Sequence, residues 1–241
     1  MAYKAICFDI DGTLYPAAVM NRRLARIGLA HPLFNLKYRR NRKQLRLHQK
    51  DYSKSIPFRW REAMTIQNGT GAEPESGFRE DDYRTTYGKL QEKVYGPMER
   101  LYKSTQAFSG VRRTFEKIHD NGLKIGVFTD FPLFSKLQSM DLADLVDFAA
   151  SSDDVGFLKP DAHCFEYLLY NLKLGAEDVL YVGDSYEKDI KGAAGAGIDA
   201  VLVNVKPSDM RDRSSRYPLA KAVFSRWDDF DLWLTAVMED D

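Results

Sequence analysis

The stretch "FDIDGT" places two carboxylates, Asp9 and Asp11, two residues apart at the end of the apolar run "YKAICF". On an extended segment, side chains two apart project to the same side, so both acids serve one space. Asp184 and Asp189 in "GDSYEKD", Thr129 at the end of "KIGVFT", and Lys159 in "LKP" follow other apolar runs and extend the set. Asp9, Asp11 and Asp184 gathered in one crevice repel one another and any anionic ligand: each like-charge pair at about 4 Å costs about 4 kcal/mol at an effective dielectric near 20. A divalent cation removes that repulsion, and ligation by oxygen alone suits Mg²⁺. The ammonium of Lys159 and the hydroxyl of Thr129 then offer a phosphoryl group a counter-charge and a hydrogen-bond donor.

The elements that must carry these residues are legible as short buried runs. "YKAICFDI", "LKIGVFTD", "DVLYVGDS", "DAVLVNV" and "KAVFSRW" each have the form of a buried strand, with "FAASSDDVGF" a weaker sixth. Helical patterns separate them. Ser109 can cap "GVRRTFEKIHDNG", with Gly122 placed at its C-terminal end; "FSKLQSMDLADLV" holds a helix or a helix pair; Pro160 can start a helix running to Gly175; and "YEKDIKGAAGAG" is a short helix of small residues. Alternating strands and helices imply an α/β domain, doubly wound on a mainly parallel sheet. Ligands in such sheets bind beyond the C-terminal strand ends, which is where Asp9, Asp11, Thr129, Asp130, Asp184 and Ser185 fall.

Between "GTLYP" and Ser109 the strand rhythm stops for about ninety residues of charged helical pattern, with a loop expected at 68–77. We read residues 17–105 as an inserted α-helical cap and residues 1–16 with 106–241 as the core domain. The chain carries 35 basic and 35 acidic residues, yet residues 21–61 hold thirteen Lys or Arg against Asp51 alone. That segment can be a solvated helical face or can steer an anionic substrate. Its aromatics Phe34, Tyr38, Tyr52, Phe58 and Trp60 lack the spacing of a stacking platform, so nucleic acid or an anionic membrane surface as its partner has less support. Cys7 and Cys164 sit in apolar patterns and read as core residues. No apolar run has the length of a signal-peptide core or a membrane span, so the expected location is cytoplasmic.

"DIDGT" at 9–13, the strand-ending Thr129, "LKP" at 158–160 and "GDSYEKD" at 183–189 occur in that order. With these motifs the chain resembles the haloacid dehalogenase (HAD) superfamily of phosphohydrolases, in the group with a helical cap inserted after the first strand. The resemblance implies a Rossmann-like core and Mg²⁺-dependent hydrolysis of a small phosphorylated metabolite. It implies Asp9 as nucleophile and metal ligand, and Asp11 as general acid and then base, with its backbone carbonyl on the metal. Thr129 would bind phosphoryl oxygens, Lys159 would neutralise charge, Asp184 would hold the metal, and Asp189 would support the metal waters or Lys159. Asp130 departs from the pattern, since many relatives carry a neutral Asn there; only a backbone N–H contact to phosphate is expected of it.

Taken alone, Asp9 and Asp11 also fit a strand-ending turn, and Thr129 is an ordinary strand residue. A phosphomutase would share the chemistry and differ only in the acceptor. A non-catalytic module engaging a polyanion or a partner through the basic segment is the rival of another class. A dehalogenase of the superfamily lacks the second aspartate, so Asp11 argues against it. Substrate identity and oligomeric state are not encoded in any motif of this chain.

Overall fold

Alternation along the first strand sorts the core into two layers. In the computed structural model, which describes residues 3–49, 56–70 and 75–239, β1 (Ala5–Phe8) is fully buried. Ala5 and Cys7 join one apolar cluster, and Ile6 and Phe8 join the other. Such a strand can only lie in the middle of a sheet covered on both faces.

Helices α1 (Ala17–Ala30), α2 (Pro32–Leu47), α3 (Phe58–Asn68), α4 (Glu80–Leu90) and α5 (Gly96–Tyr102) follow β1, with a π-helical turn at Gln91–Tyr95 joining the last two. No strand interrupts them among the described residues. The chain then runs through α6 (Val111–Asp120), β2 (Lys124–Thr129), α7 (Phe134–Ser139), β3 (Phe148–Ser151), α8 (Ser152–Val155) and α9 (Ala162–Leu172). It closes with β4 (Val179–Gly183), α10 (Lys191–Gly195), β5 (Asp199–Leu202), α11 (Arg213–Arg216), β6 (Ala222–Val223) and α12 (Trp227–Glu239).

The six strands are all parallel, in the order β3-β2-β1-β4-β5-β6. Phe8 lies opposite both Val127 and Val182, so the ends of β1, β2 and β4 are level. Chain connections from β1 diverge to either side at this point, and the crevice it leaves is where ligands bind in open α/β sheets. On one face Phe8 stacks on Phe115 of α6, with Trp227 and Phe230 of α12 around it. On the other, Phe165 of α9 meets Tyr181 edge to face. Cys7 and Cys164 are free and buried.

Several local expectations are corrected. Gly110, not Ser109, precedes α6, and no side chain caps that helix. Gly122 does follow it, at φ +74°. Asp161 caps α9, accepting from the His163 amide at 3.1 Å, so the helix starts two residues after Pro160; it stops at Leu172 because Lys173 turns left-handed. In "KAVFSRW" only Ala222 and Val223 pair as strand, and Trp227 opens α12 instead. Of the loop expected at 68–77, residues 71–74 lie outside the described residues, as do Lys50, Asp51, Tyr52 and Lys54 of the basic segment.

The basic segment is only partly solvent-facing. Arg42 and Arg61 are buried, and Arg42 pairs with Glu62 at 3.2 Å. Four of its side chains reach the strand-end loops: Arg42 to the Asp130 carbonyl at 2.7 Å, Arg46 to the Asp130 carboxylate at 2.6 Å, Gln49 to the Leu158 carbonyl at 2.8 Å, and Arg59 to Asp153 at 2.6 Å. These contacts hold α2 and α3 against the sheet, while Arg22, Arg26, Lys37, Arg39, Arg40 and Lys43 are exposed.

Removing the ring at the centre of the larger layer tests its weight. Phe115→Ala should lower unfolding stability by about 3–5 kcal/mol, seen as a reduced urea midpoint with unchanged slope. A loss under about 1 kcal/mol would mean that the layer collapses to fill the space.

Candidate active site

Asp9 and Asp11 reach the crevice because the chain turns sharply after β1. The amides of Thr13 and Leu14 both donate to the Ile10 carbonyl, at 3.2 and 3.0 Å. Gly12 sits at φ +104°, and a β-carbon there would lie 2.1 Å from an Asp184 oxygen, so only glycine allows Asp184 to approach the turn. The Asn204 amide, from the loop after β5, donates to the Gly12 and Thr13 carbonyls at 2.7 and 3.1 Å and fixes the turn from outside.

Two charge systems meet at this end of the sheet. In the first, the buried Lys159 ammonium donates to Asp9 and to Asp189, each at 2.6 Å, and to the Tyr181 hydroxyl at 3.1 Å. Asp189 also accepts from the Ser185 amide at 2.9 Å, and Asp9 from the Thr13 hydroxyl at 3.1 Å. Asp9, Asp184 and Asp189 each present a carboxylate oxygen within 4.8 Å of the others. The half-buried Asp184 accepts no hydrogen bond and has no ion-pair partner among the described residues. Burial, then the charges of Asp9 and Asp189, push its carboxyl up to about 8. Burial likewise pushes Asp9 up to about 6, against the pull of Lys159. Three converging hard oxygen donors, one with no counter-charge of its own, fit a small divalent cation.

The second system surrounds Asp11. Its carboxylate accepts from the Lys136 ammonium at 2.6 Å on both oxygens, from the Thr129 hydroxyl at 2.6 Å, and from the Tyr15 hydroxyl. Burial opposes the charged form, but Lys136 and these donors outweigh it and hold Asp11 below the usual carboxylate range. Lys136 is wholly buried, and burial draws its own proton affinity down against the attraction of Asp11. So the structure brings together Asp9, Asp184, Asp189 and Lys159 as one cluster, and Asp11 and Thr129 as a neighbouring one. Asp11's side chain stands outside the acidic triad, and the Thr129 hydroxyl is directed at Asp11.

Lys136 and Tyr15 were not foreseen. The signal for Lys136 was present: it falls on the helical face of Leu133, Leu137 and Met140, where a solvated lysine does not belong. Asp130 turns its side chain away from the acidic triad to Arg46, to the Lys159 amide at 3.0 Å and to Ser152 at 3.4 Å. Despite burial, Arg46, Lys159 and Arg42 hold it at about 2.

The raised Asp184 carboxyl makes a stability prediction with a definite sign. A carboxyl with a folded pKa above its unfolded value stabilises the fold at acid pH and loses that contribution as pH rises toward about 8. In EDTA, the melting temperature of Asp184→Asn should therefore rise relative to the parent as pH increases from about 4 to 8, with the difference levelling off above pH 8. A difference independent of pH in thermal melts would contradict this.

Comparison with known proteins shows the family. The family model for haloacid dehalogenase-like hydrolases matches residues 3–197. A ribulose-1,5-bisphosphate 5-phosphatase of Halopiger xanaduensis is 26% identical over 86% of this chain and 87% of its own. A glyceraldehyde 3-phosphate phosphatase of Methanocaldococcus jannaschii is 27% identical over 87% and 89%. Among solved structures, a 2-haloacid dehalogenase of Pseudomonas syringae superposes with a TM-score of 0.60 at 24% identity, covering 98% of this chain and 99% of that one, which establishes a shared fold. With four-fifths of its length matched by the family model, this chain belongs to the haloacid dehalogenase-like hydrolases.

Proposed function

We propose that the enzyme hydrolyses a small phosphomonoester in two displacements at Asp9, with residues 17–105 acting as the cap over the site. The observation that carries this reading is the placement of two aspartates with opposite electrostatic settings at one strand end. Asp9 shares an acidic triad with Asp184 and Asp189, while Asp11 is held apart by Lys136 and Thr129. A cation held by the triad would return Asp9 to the ionised form that a nucleophile needs, and Asp11, held apart from the triad, is placed to carry the proton.

In the first step an Asp9 oxygen forms a bond to phosphorus, the bond to the leaving oxygen breaks, and that oxygen takes its electron pair and a proton from Asp11. In the second, Asp11 takes a proton from water, the water oxygen bonds to phosphorus, and the acyl-phosphate bond breaks to restore Asp9 and release inorganic phosphate. The contact with Lys136 favours the ionised Asp11 that the second step needs. Acting as acid in the first step requires Asp11 to be protonated, which that contact opposes. Lys159, fixed between Asp9 and Asp189, offsets charge on the nucleophile side.

Asp9, Asp184 and Asp189, with the Asp11 backbone carbonyl, are the groups that would hold Mg²⁺. A bound ion would offset the negative charge of the phosphoryl oxygens and of the triad. The phosphatase names of the two relatives support phosphoester hydrolysis for this chain as well. The dehalogenase neighbour shares the fold at an identity too low to carry its chemistry. The second aspartate, built into its own network, favours phosphoryl transfer.

Two measurements test the assignment. Asp9→Asn should reduce phosphate release from any substrate to background while circular dichroism stays native, because an amide is a poor nucleophile; near-normal turnover would refute the mechanism. Asp11→Asn should slow the first step far more for an alkyl phosphate than for p-nitrophenyl phosphate, whose phenolate leaves without a proton, and should let the phosphoenzyme accumulate. Equal losses for both substrates, with no phosphorylated Asp9 by mass spectrometry, would leave Asp11 a structural role only.

A further inference from the structure

We infer that the cavity between α1, α2 and the ends of β2 and β4 is a second anion subsite, which takes the distal carboxylate or phosphate of a doubly anionic phosphomonoester. This deepens the reading above and rests on it. The cavity has a volume of about 530 Å³, within the range of small-molecule sites. Part of its lining is apolar, from Leu24, Ile27, Leu36, Val94, Met98 and Phe131. Asp130 and Phe131 directly follow Thr129, and Lys188 directly precedes Asp189, so the cavity adjoins the acidic triad.

Its charge is one-sided. Arg39, Arg42, Arg46, Lys93 and Lys188 line it, and Asp130 is the one carboxylate among them. Arg39, Arg42 and Arg46 share a face of α2 by their spacing of three and four residues. The inner two are committed, Arg42 to Glu62 and Arg46 to Asp130. Arg39, Lys93 and Lys188 have no ion-pair partner among the described residues, although Lys93 lies 5.8 Å from the Phe34 ring. The half-buried Lys188 is near enough to Asp9, Asp130 and Asp184 to favour the ionised form of each against the burial that opposes it. An ammonium in that position bridges the reaction centre and the cavity. Arg39 and Lys93, with no ion-pair partner among the described residues, and Lys188 at the edge of the triad are placed to receive an anion that arrives with the substrate.

Steady-state kinetics on matched pairs test this: 6-phosphogluconate against glucose 6-phosphate for a distal carboxylate, and fructose 1,6-bisphosphate against fructose 6-phosphate for a distal phosphate. In at least one pair kcat/KM should favour the doubly anionic member by about tenfold, the effect of one charge-assisted hydrogen bond. Lys188→Gln and Arg39→Gln should each cut that ratio severalfold, mainly through KM. Arg39 is exposed, so its variant keeps the test valid if Lys188→Gln does not fold. Preference in the first pair alone assigns a carboxylate, and in the second alone a phosphate. Ratios near one in the parent, or ratios unmoved by both variants, overturn the subsite while leaving phosphomonoester hydrolysis intact. Calorimetric titration of Asp9→Asn with the same pairs separates the two readings: a binding preference without any turnover in the parent upholds the subsite and rejects hydrolysis, and no preference and no turnover rejects both.

Discussion

The buried ammonium of Lys159 is the interaction on which the rest of the site depends. A lysine with no access to water is strongly disfavoured unless carboxylates surround it, and here Asp9 and Asp189 do so at 2.6 Å each. Each partner comes from a different strand end: Asp9 from β1, Asp189 from the turn after β4, and Lys159 from the segment after β3. The ion pairs thus tie three loops together across the switch point of the sheet. Two charges on one cation still leave Asp184 without an ion-pair partner among the described residues, and burial, then the charges of Asp9 and Asp189, push its carboxyl up to about 8.

The same logic extends outward through Asp130. Its side chain receives the Lys159 amide and the Arg46 guanidinium, while its carbonyl receives Arg42. One residue therefore joins the loop that carries Lys159 to helix α2. Of the basic residues in 21–61, Arg42, Arg46 and Arg59 make such inward contacts, Arg39 lines the cavity beside them, and Arg22, Arg26, Lys37, Arg40 and Lys43 are exposed.

Asp11 is held by a separate set of donors. Lys136, Thr129 and Tyr15 converge on it from α7, β2 and the turn after β1. The outcome is two neighbouring aspartates of one motif in opposite electrostatic settings, separated by which cation reaches each. The charge of a buried lysine keeps Asp11 ionised, and burial, then crowding among carboxylates, favours the proton on Asp9 and Asp184.

The sequence by itself determined the α/β class, the parallel sheet, the interruption after the first strand, and the positions of Asp9, Asp11, Thr129, Lys159, Asp184 and Asp189. Those features are local: apolar runs of strand length, turn residues directly after them, and short motifs whose spacing survives any packing. The boundaries of α9 and α12 were harder to place because caps such as Asp161, and the choice of strand or helix for Trp227, depend on what packs nearby. Only the tertiary structure decided which charges meet. Lys136 lies 125 residues from Asp11, and Arg46 lies 84 from Asp130. A lysine's or arginine's partner is set by where the helices α2 and α7 land on the sheet, which depends on packing over the whole core and leaves no local pattern to read.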